Sequence, residues 1–161
     1  MKHRIFIVSF LTLFLDQIIK IICNLFLDNI VVIKDVLSFI YAENNGVAFS
    51  MLSGNRLFIV ILSIILIFML LYYIYKDYIV KGENNNFKNF SYGILLGGIL
   101  GNLFDRIIRG VVIDYISLNI FGYNFPIFNV ADTLIVVGVF LLLIKNTGGN
   151  KNDNRWKQCR H

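Results

Sequence analysis

The sequence predicts an all-α membrane protein: four transmembrane helices with a small extracytoplasmic β element. Three observations carry that prediction. Of the 161 residues, 57% are hydrophobic and 16% charged, against about 25% charged in an ordinary soluble domain. Residues 57–75 form an apolar run without a single charge, long enough to cross a hydrocarbon core of about 30 Å. The basic residues behind the net charge of +5 sit between hydrophobic runs, not along one face. That distribution orients a membrane protein and gives nucleic acid no surface to bind. One domain, residues 1–145, and a polar cytoplasmic tail, residues 146–161, are expected.

The first helix is placed at about residues 5–27. Lys2 and Arg4 precede an apolar run over residues 5–15, as in a signal peptide, but no small-residue cleavage site follows that run and the apolar character resumes over residues 18–27. Asp16 and Lys20 stand four apart, so they share a helix face and can pair. Two readings stay open: an intrahelical ion pair near the outer interface, or an Asp16 that faces the bundle interior and supports a site. Residues 28–55 form the first external loop. Residues 30–33 and 36–41 are β-branched and aromatic and read as short strands. Asn44-Asn45-Gly46 signals a turn, after which Val47-Ala48-Phe49 is again apolar.

The second helix spans about 57–75 and closes on interfacial Tyr72, Tyr73 and Tyr75. Residues 76–89, with Gly82 and Asn84-Asn85-Asn86, are expected to be a polar loop. The third helix runs over about 90–109. Gly93, Gly97, Gly98 and Gly101 are spaced for close approach of another helix. Asn102, Asp105 and Arg106 share a face near its end. An ion pair between Arg106 and Asp105 is expected; the other reading has Arg106 supporting a site.

Gly110 should end that helix and open the second external loop, residues 110–128. Val111-Val112-Ile113 suit an extended segment, and residues 121–124 a turn. Asp105 and Asp114 stand half a turn out of phase on a continuous helix, so they need not share a role. The fourth helix is placed at about 130–145, with Asn129 as N-cap and Asp132 at the third helical position. Lys2, Arg4, Lys76, Lys81, Lys88, Lys145 and the basic tail then share one side. The positive-inside rule makes it cytoplasmic, which leaves both long loops, Asp114 and Asp132 at the outer surface.

Function classes narrow quickly. The only histidines are His3 and His161, and the cysteines Cys23 and Cys159 have no metal-ligand spacing. A Ser-His-Asp or Cys-His hydrolase and a zinc enzyme therefore lack their base or ligands. A carboxylate at a membrane helix end is costly and functional by default. Two together resist double ionisation and share a proton, one activating water while the other acts as acid. The helix N-terminus favours Asp132 as the charged member. Rival readings are an ion path through Asp16, Asp114 and Asp132, and a serine–lysine peptidase built on Ser50 and Lys20.

The motifs DQIIK (from Asp16), NNGVAF (from Asn44), GNLFDRIIRGVVID (from Gly101) and FNVAD (from Phe128) are those of a known family. Over residues 1 to about 145 the chain closely resembles the bacterial lipoprotein signal peptidases (signal peptidase II). The resemblance implies a four-helix aspartic endopeptidase of the bacterial plasma membrane. Its substrates would be diacylglyceryl-modified prolipoproteins, cut before the lipidated cysteine. It implies Asp114 and Asp132 as the catalytic pair. Asp16, Lys20, Asn44, Gly46, Asn102, Asp105, Arg106 and Asn129 would support the site or bind substrate. No metal or organic cofactor is implied; substrate and membrane lipids are the expected partners, and a monomer the expected state. Departures are few: Tyr115 where Phe is frequent, and Asn45 and Val47 where Thr or Ser and Ala are common.

Overall fold

A computed structural model of the chain describes residues 3–46, 52–80 and 85–149. Four long helices carry a small antiparallel sheet. In order they are α1 (His3–Phe26), β1 (Asn29–Ile33), β2 (Leu37–Asn44), α2 (Arg56–Tyr75), α3 (Asn86–Ile108), β3 (Val112–Ile120), β4 (Tyr123–Asn124) and α4 (Val130–Gly149). Val47-Ala48-Phe49, Ser50, Lys81, Gly82, Asn84 and residues 150–161 lie outside the described residues.

The helices are inside out by the standards of a soluble protein. Phe10 is 63% exposed and Phe68 68%, while Asp16, Lys20 and Asp105 are fully buried. Such an exterior suits an apolar solvent. Among the described residues, two segments, His3–Phe26 and Arg56–Tyr78, are long and apolar enough to cross a membrane by length and composition. α3 is the central helix and the most polar. Its glycines let α1 and α4 approach its backbone: a methyl at Gly97 would sit 2.5 Å from Thr12 Cβ, and one at Gly98 2.7 Å from the Ala131 carbonyl. The core cluster of Ile5, Leu70, Tyr92, Leu95 and Leu96 lies toward the end away from the sheet.

Several boundaries differ from expectation. The stretch 76–89 is not simply a loop. α2 continues as a π turn, Lys76–Val80, and α3 begins at Asn86, capped by Asn85, whose Oδ1 accepts from Phe87 N. Polar residues here serve the helix ends: the Tyr92 hydroxyl donates to Asp77 Oδ2 at 2.6 Å and pins the π turn to α3. α4 runs on to Gly149, four residues into the expected tail.

The larger correction concerns residues 110–128. Gly110, at φ +86°, does end the helix, but the chain then forms a nine-residue strand in place of a loop with one extended segment. β3 pairs antiparallel with β2, giving the sheet order β1-β2-β3-β4. The two long connections are thus one structure. The register sets Ala42 opposite Asp114 and Asn44 opposite Val112. Side chains two apart on a strand share a face, so Asn44 and Asp114 point the same way.

Candidate active site

Asp114 is carried by β3 and Asp132 by the first turn of α4. A single residue holds both. Asn129, fully buried, donates Nδ2 to Asp114 Oδ1 at 2.6 Å and its backbone N–H to Asp132 Oδ2 at 3.2 Å. Its own Oδ1 accepts from Asp132 N at 3.0 Å. This reciprocal arrangement is a capping box with Asn and Asp in place of the usual pair. The expected cap is present and is also a bridge between the carboxylates. The isolated bridge Ile116↔Phe128 ties β3 to the segment entering α4, with Ile116 N donating to Phe128 O at 2.8 Å.

The remaining oxygens are also engaged. Asn44 Nδ2 donates to Asp114 Oδ2 at 2.8 Å, and Asn102 Nδ2 donates to Asp132 Oδ1 at 2.6 Å. Asn44 Oδ1 accepts from Gly46 N at 2.9 Å, closing the predicted turn, and Gly46 O accepts from Arg106 Nη2 at 2.8 Å. The turn after β2 is therefore locked to α3 beneath the site.

Arg106 does not pair with Asp105. Neighbouring residues on a helix point about 100° apart, and Arg106 spends its donors on Gly46 O and Asn102 O. Asp105 faces the other way, into a buried cluster. Lys20 Nζ lies 2.8 Å from Asp16 Oδ2, 2.8 Å from Asp105 Oδ2 and 3.0 Å from Asn102 Oδ1. Asp16 therefore faces the bundle interior: the expected i, i+4 pair forms, and it belongs to the network beneath the site. Because the ammonium occupies Asn102 Oδ1, the amide nitrogen of Asn102 is left to face Asp132.

Two members of this cluster escaped the sequence reading. Arg109 pairs with Asp105 and donates to Gln17 Oε1 at 2.7 Å, while Gln17 Nε2 donates to Asp105 Oδ1 at 3.0 Å. Gln17 lies inside DQIIK and Arg109 inside GNLFDRIIRGVVID, so the motifs contained them. Arg109 also lies at i+4 from Asp105, a spacing that marks it as the better partner.

Burial and electrostatics separate the two carboxylates. Asp114 is 2% exposed and Asp132 half-buried. Burial pushes the Asp114 carboxyl up to about 6, and the charge of Asp132 pushes the same way. The hydrogen bonds from Asn44 and Asn129 and the charge of Lys20 oppose that rise. Asp132 sits in the first turn of α4, where its Oδ2 accepts from the Asn129 backbone N–H. Beside the pair opens a cleft of about 840 Å³ between α2 and α4, walled by Leu66, Leu70, Ile135, Val136 and Val139. Its polar end carries Asn44, Asn102, Arg106, Asp114 and Asp132. Among the described residues, no cluster of three His, Cys, Asp or Glu could hold a metal ion.

The chain is similar to known proteins along most of its length. Residues 8–147 match the family described as signal peptidase (SPase) II. A lipoprotein signal peptidase of Staphylococcus aureus is 40% identical over 159 residues, covering 95% of this chain and 94% of the relative. That of S. aureus strain JH9 is 39% identical over 153 residues, 91% of each chain. Among solved structures, a bacterial membrane enzyme obtained by the in meso method at 2.3 Å superposes with a TM-score of 0.81 at 35% identity, over 92% of this chain and 90% of that one. A second, at 1.9 Å, gives 0.75 at 36% identity over 88% and 90%.

Proposed function

The chain belongs to the signal peptidase II family, and from that premise we propose that Asp114 and Asp132 are an aspartic endopeptidase dyad acting on diacylglyceryl-modified prolipoproteins. That the protein is a membrane peptidase which removes signal peptides from prolipoproteins follows from the family. The dyad and the cleavage position are the proposal. The observation that carries it is the double grip of Asn129 on both carboxylates, which holds two acids side by side with an apolar cleft alongside.

In the reaction so read, Asp132 takes a proton from water, and the resulting hydroxide attacks the scissile carbonyl. The Asp114 acid donates first toward the carbonyl oxygen. Asp132 then gives the proton it took to the departing nitrogen, the C–N bond breaks as the hydroxyl proton returns to Asp114, and the products are a carboxylic acid, ionised in water, and the free amine of the lipidated cysteine. Asn44, Asn102 and Asn129 hold the carboxylates in place, and Arg106 with Gly46 fixes the turn that bears Asn44. The cleft accepts the signal helix and acyl chains from the side. α1 to α4 are read as four transmembrane spans with cytoplasmic termini and the sheet at the outer surface. The enzyme acts as a monomer with membrane lipids as its surroundings. Buried polar groups in α3 are paired inside the bundle, which makes that helix tolerable in lipid.

A gel-shift cleavage assay in detergent tests the reading, with a diacylglyceryl-modified prolipoprotein, its unlipidated twin, and EDTA throughout. Wild type should cleave only the lipidated substrate, and Asp114→Asn and Asp132→Asn should each abolish cleavage. Activity that survives either substitution overturns the dyad.

A further inference from the structure

Tyr115 has no part in the chemistry of the dyad, yet its hydroxyl reaches the first residue of the helix that carries Asp132. It comes directly after Asp114 in β3, is 3% exposed, and its Oη accepts from Val130 N at 3.2 Å. Val130 is the first residue of α4, and its N–H is among the four that a helix cannot satisfy internally. Asn129 supplies acceptors for Asp132 N and, through its carbonyl, Thr133 N. It does not serve Val130; Tyr115 does.

Successive side chains of a strand leave on opposite faces. Asp114 and Tyr115 therefore reach the start of α4 by two different routes: the carboxylate through the Asn129 amide, the phenol through the Val130 N–H. Between them the Tyr115 backbone N–H donates to Phe128 O at 3.0 Å. The Ile116–Phe128 bridge and the Asn129 bonds to Asp114 and Ile113 O hold the residues that lead into α4. The phenol adds a bond from the opposite face of β3 to the first N–H of the helix itself.

We propose that the Tyr115 hydroxyl is a positioning group that sets the separation of Asp114 and Asp132 by anchoring the first N–H of α4 to the strand that carries Asp114. The assignment rests on the dyad reading, so the Asp114→Asn and Asp132→Asn controls accompany its test.

The variant is Tyr115→Phe, which keeps the ring and deletes one acceptor. Loss of one partly buried hydrogen bond predicts a fall in kcat of about three- to tenfold, with KM for the lipidated substrate within about twofold, because the cleft walls are untouched. With the separation released, the two like charges relax apart. Their coupling weakens, and the alkaline limb of kcat/KM that reports Asp114 moves to lower pH. Melting in detergent and an active-site titration with a tight-binding inhibitor give the folded fraction. Tyr115→Leu, which also removes the ring, separates packing from the hydroxyl. A Tyr115→Phe enzyme with wild-type kcat per titrated site and an unmoved pH limb overturns the proposal, whatever its melting temperature. If the two Asn controls retain activity, the dyad reading fails instead, independently of Tyr115.

Discussion

Replacing Lys20 by Met isolates the contribution of the buried cation beneath the site. The methionine keeps the length of the stem and deletes a charge that touches two carboxylates and an amide oxygen, at 2.8, 2.8 and 3.0 Å. All three partners are buried, Asp16 and Asp105 completely so. Removing one member of a buried ion pair costs about 3–5 kcal/mol, because the partner is left in low dielectric without compensation. Asp105 keeps Arg109, so Asp16 bears most of the loss. At roughly 2–4 °C per kcal/mol for a chain of this size, melting should drop by about 10 °C, read by circular dichroism in detergent. Adding Asp16→Asn removes the stranded charge, and the double variant should recover about half of the loss. If the two substitutions simply add, no coupling exists and the reasoning about the cluster is wrong.

Three further outcomes are expected. First, kcat/KM should fall as pH rises through about 6, where Asp114 loses its proton. Asn44→Ala deletes a hydrogen bond that favours the anion, so the limb should move to higher pH; a shift downward refutes the assignment. Second, Asp114→Asn should be inactive yet melt higher at pH 7.5. The folded carboxyl at about 6 lies above its ordinary 3.8, so the native state loses stability as pH rises between those values, by up to about 3 kcal/mol. The gain over wild type should vanish near pH 3.5, which melting curves across the range will check. Third, Gly101→Ala puts a methyl 2.5 Å from Asp16 Oδ2. It should lower melting by several degrees and impair cleavage, while Gly122→Ala, which meets no neighbour but strains a φ of +83°, should lower melting slightly and leave cleavage intact.

Much of this was legible in the residues. Hydrophobic runs placed α1 and α2, since an apolar stretch of 19 or so residues admits few other solutions, while the glycine spacing and the Asn129 cap marked α3 and α4. Asn129 and Asp132 could be placed at a helix start because capping is local chemistry. What stayed hidden was long-range or depended on direction. The pairing of β3 with β2 joins residues about 70 apart, and nothing local in residues 112–120 specifies the partner. Arg106 and Arg109 both neighbour Asp105 in sequence, and only the turn of the helix decides between them. Asp16 was legible as a partner of Lys20 but not as part of a network with Asp105, because that contact crosses two helices. The early start of α3 was obscured by Asn84-Asn85-Asn86, which reads as a loop although Asn85 is a cap.

The position of Asn129 at the entry to α4 bears on the order of synthesis. While α1, the hairpin and β3 are already outside the ribosome, Asp114 stands without its partner, because Asp132 and the residue that links the two are made together and later. A half-made chain carries Asp114 without Asn129 and Asp132, so the two carboxylates are first brought together once the helix that begins at Val130 packs beside α3. On the dyad reading proposed above, cleavage would be lost in any chain truncated before Val130.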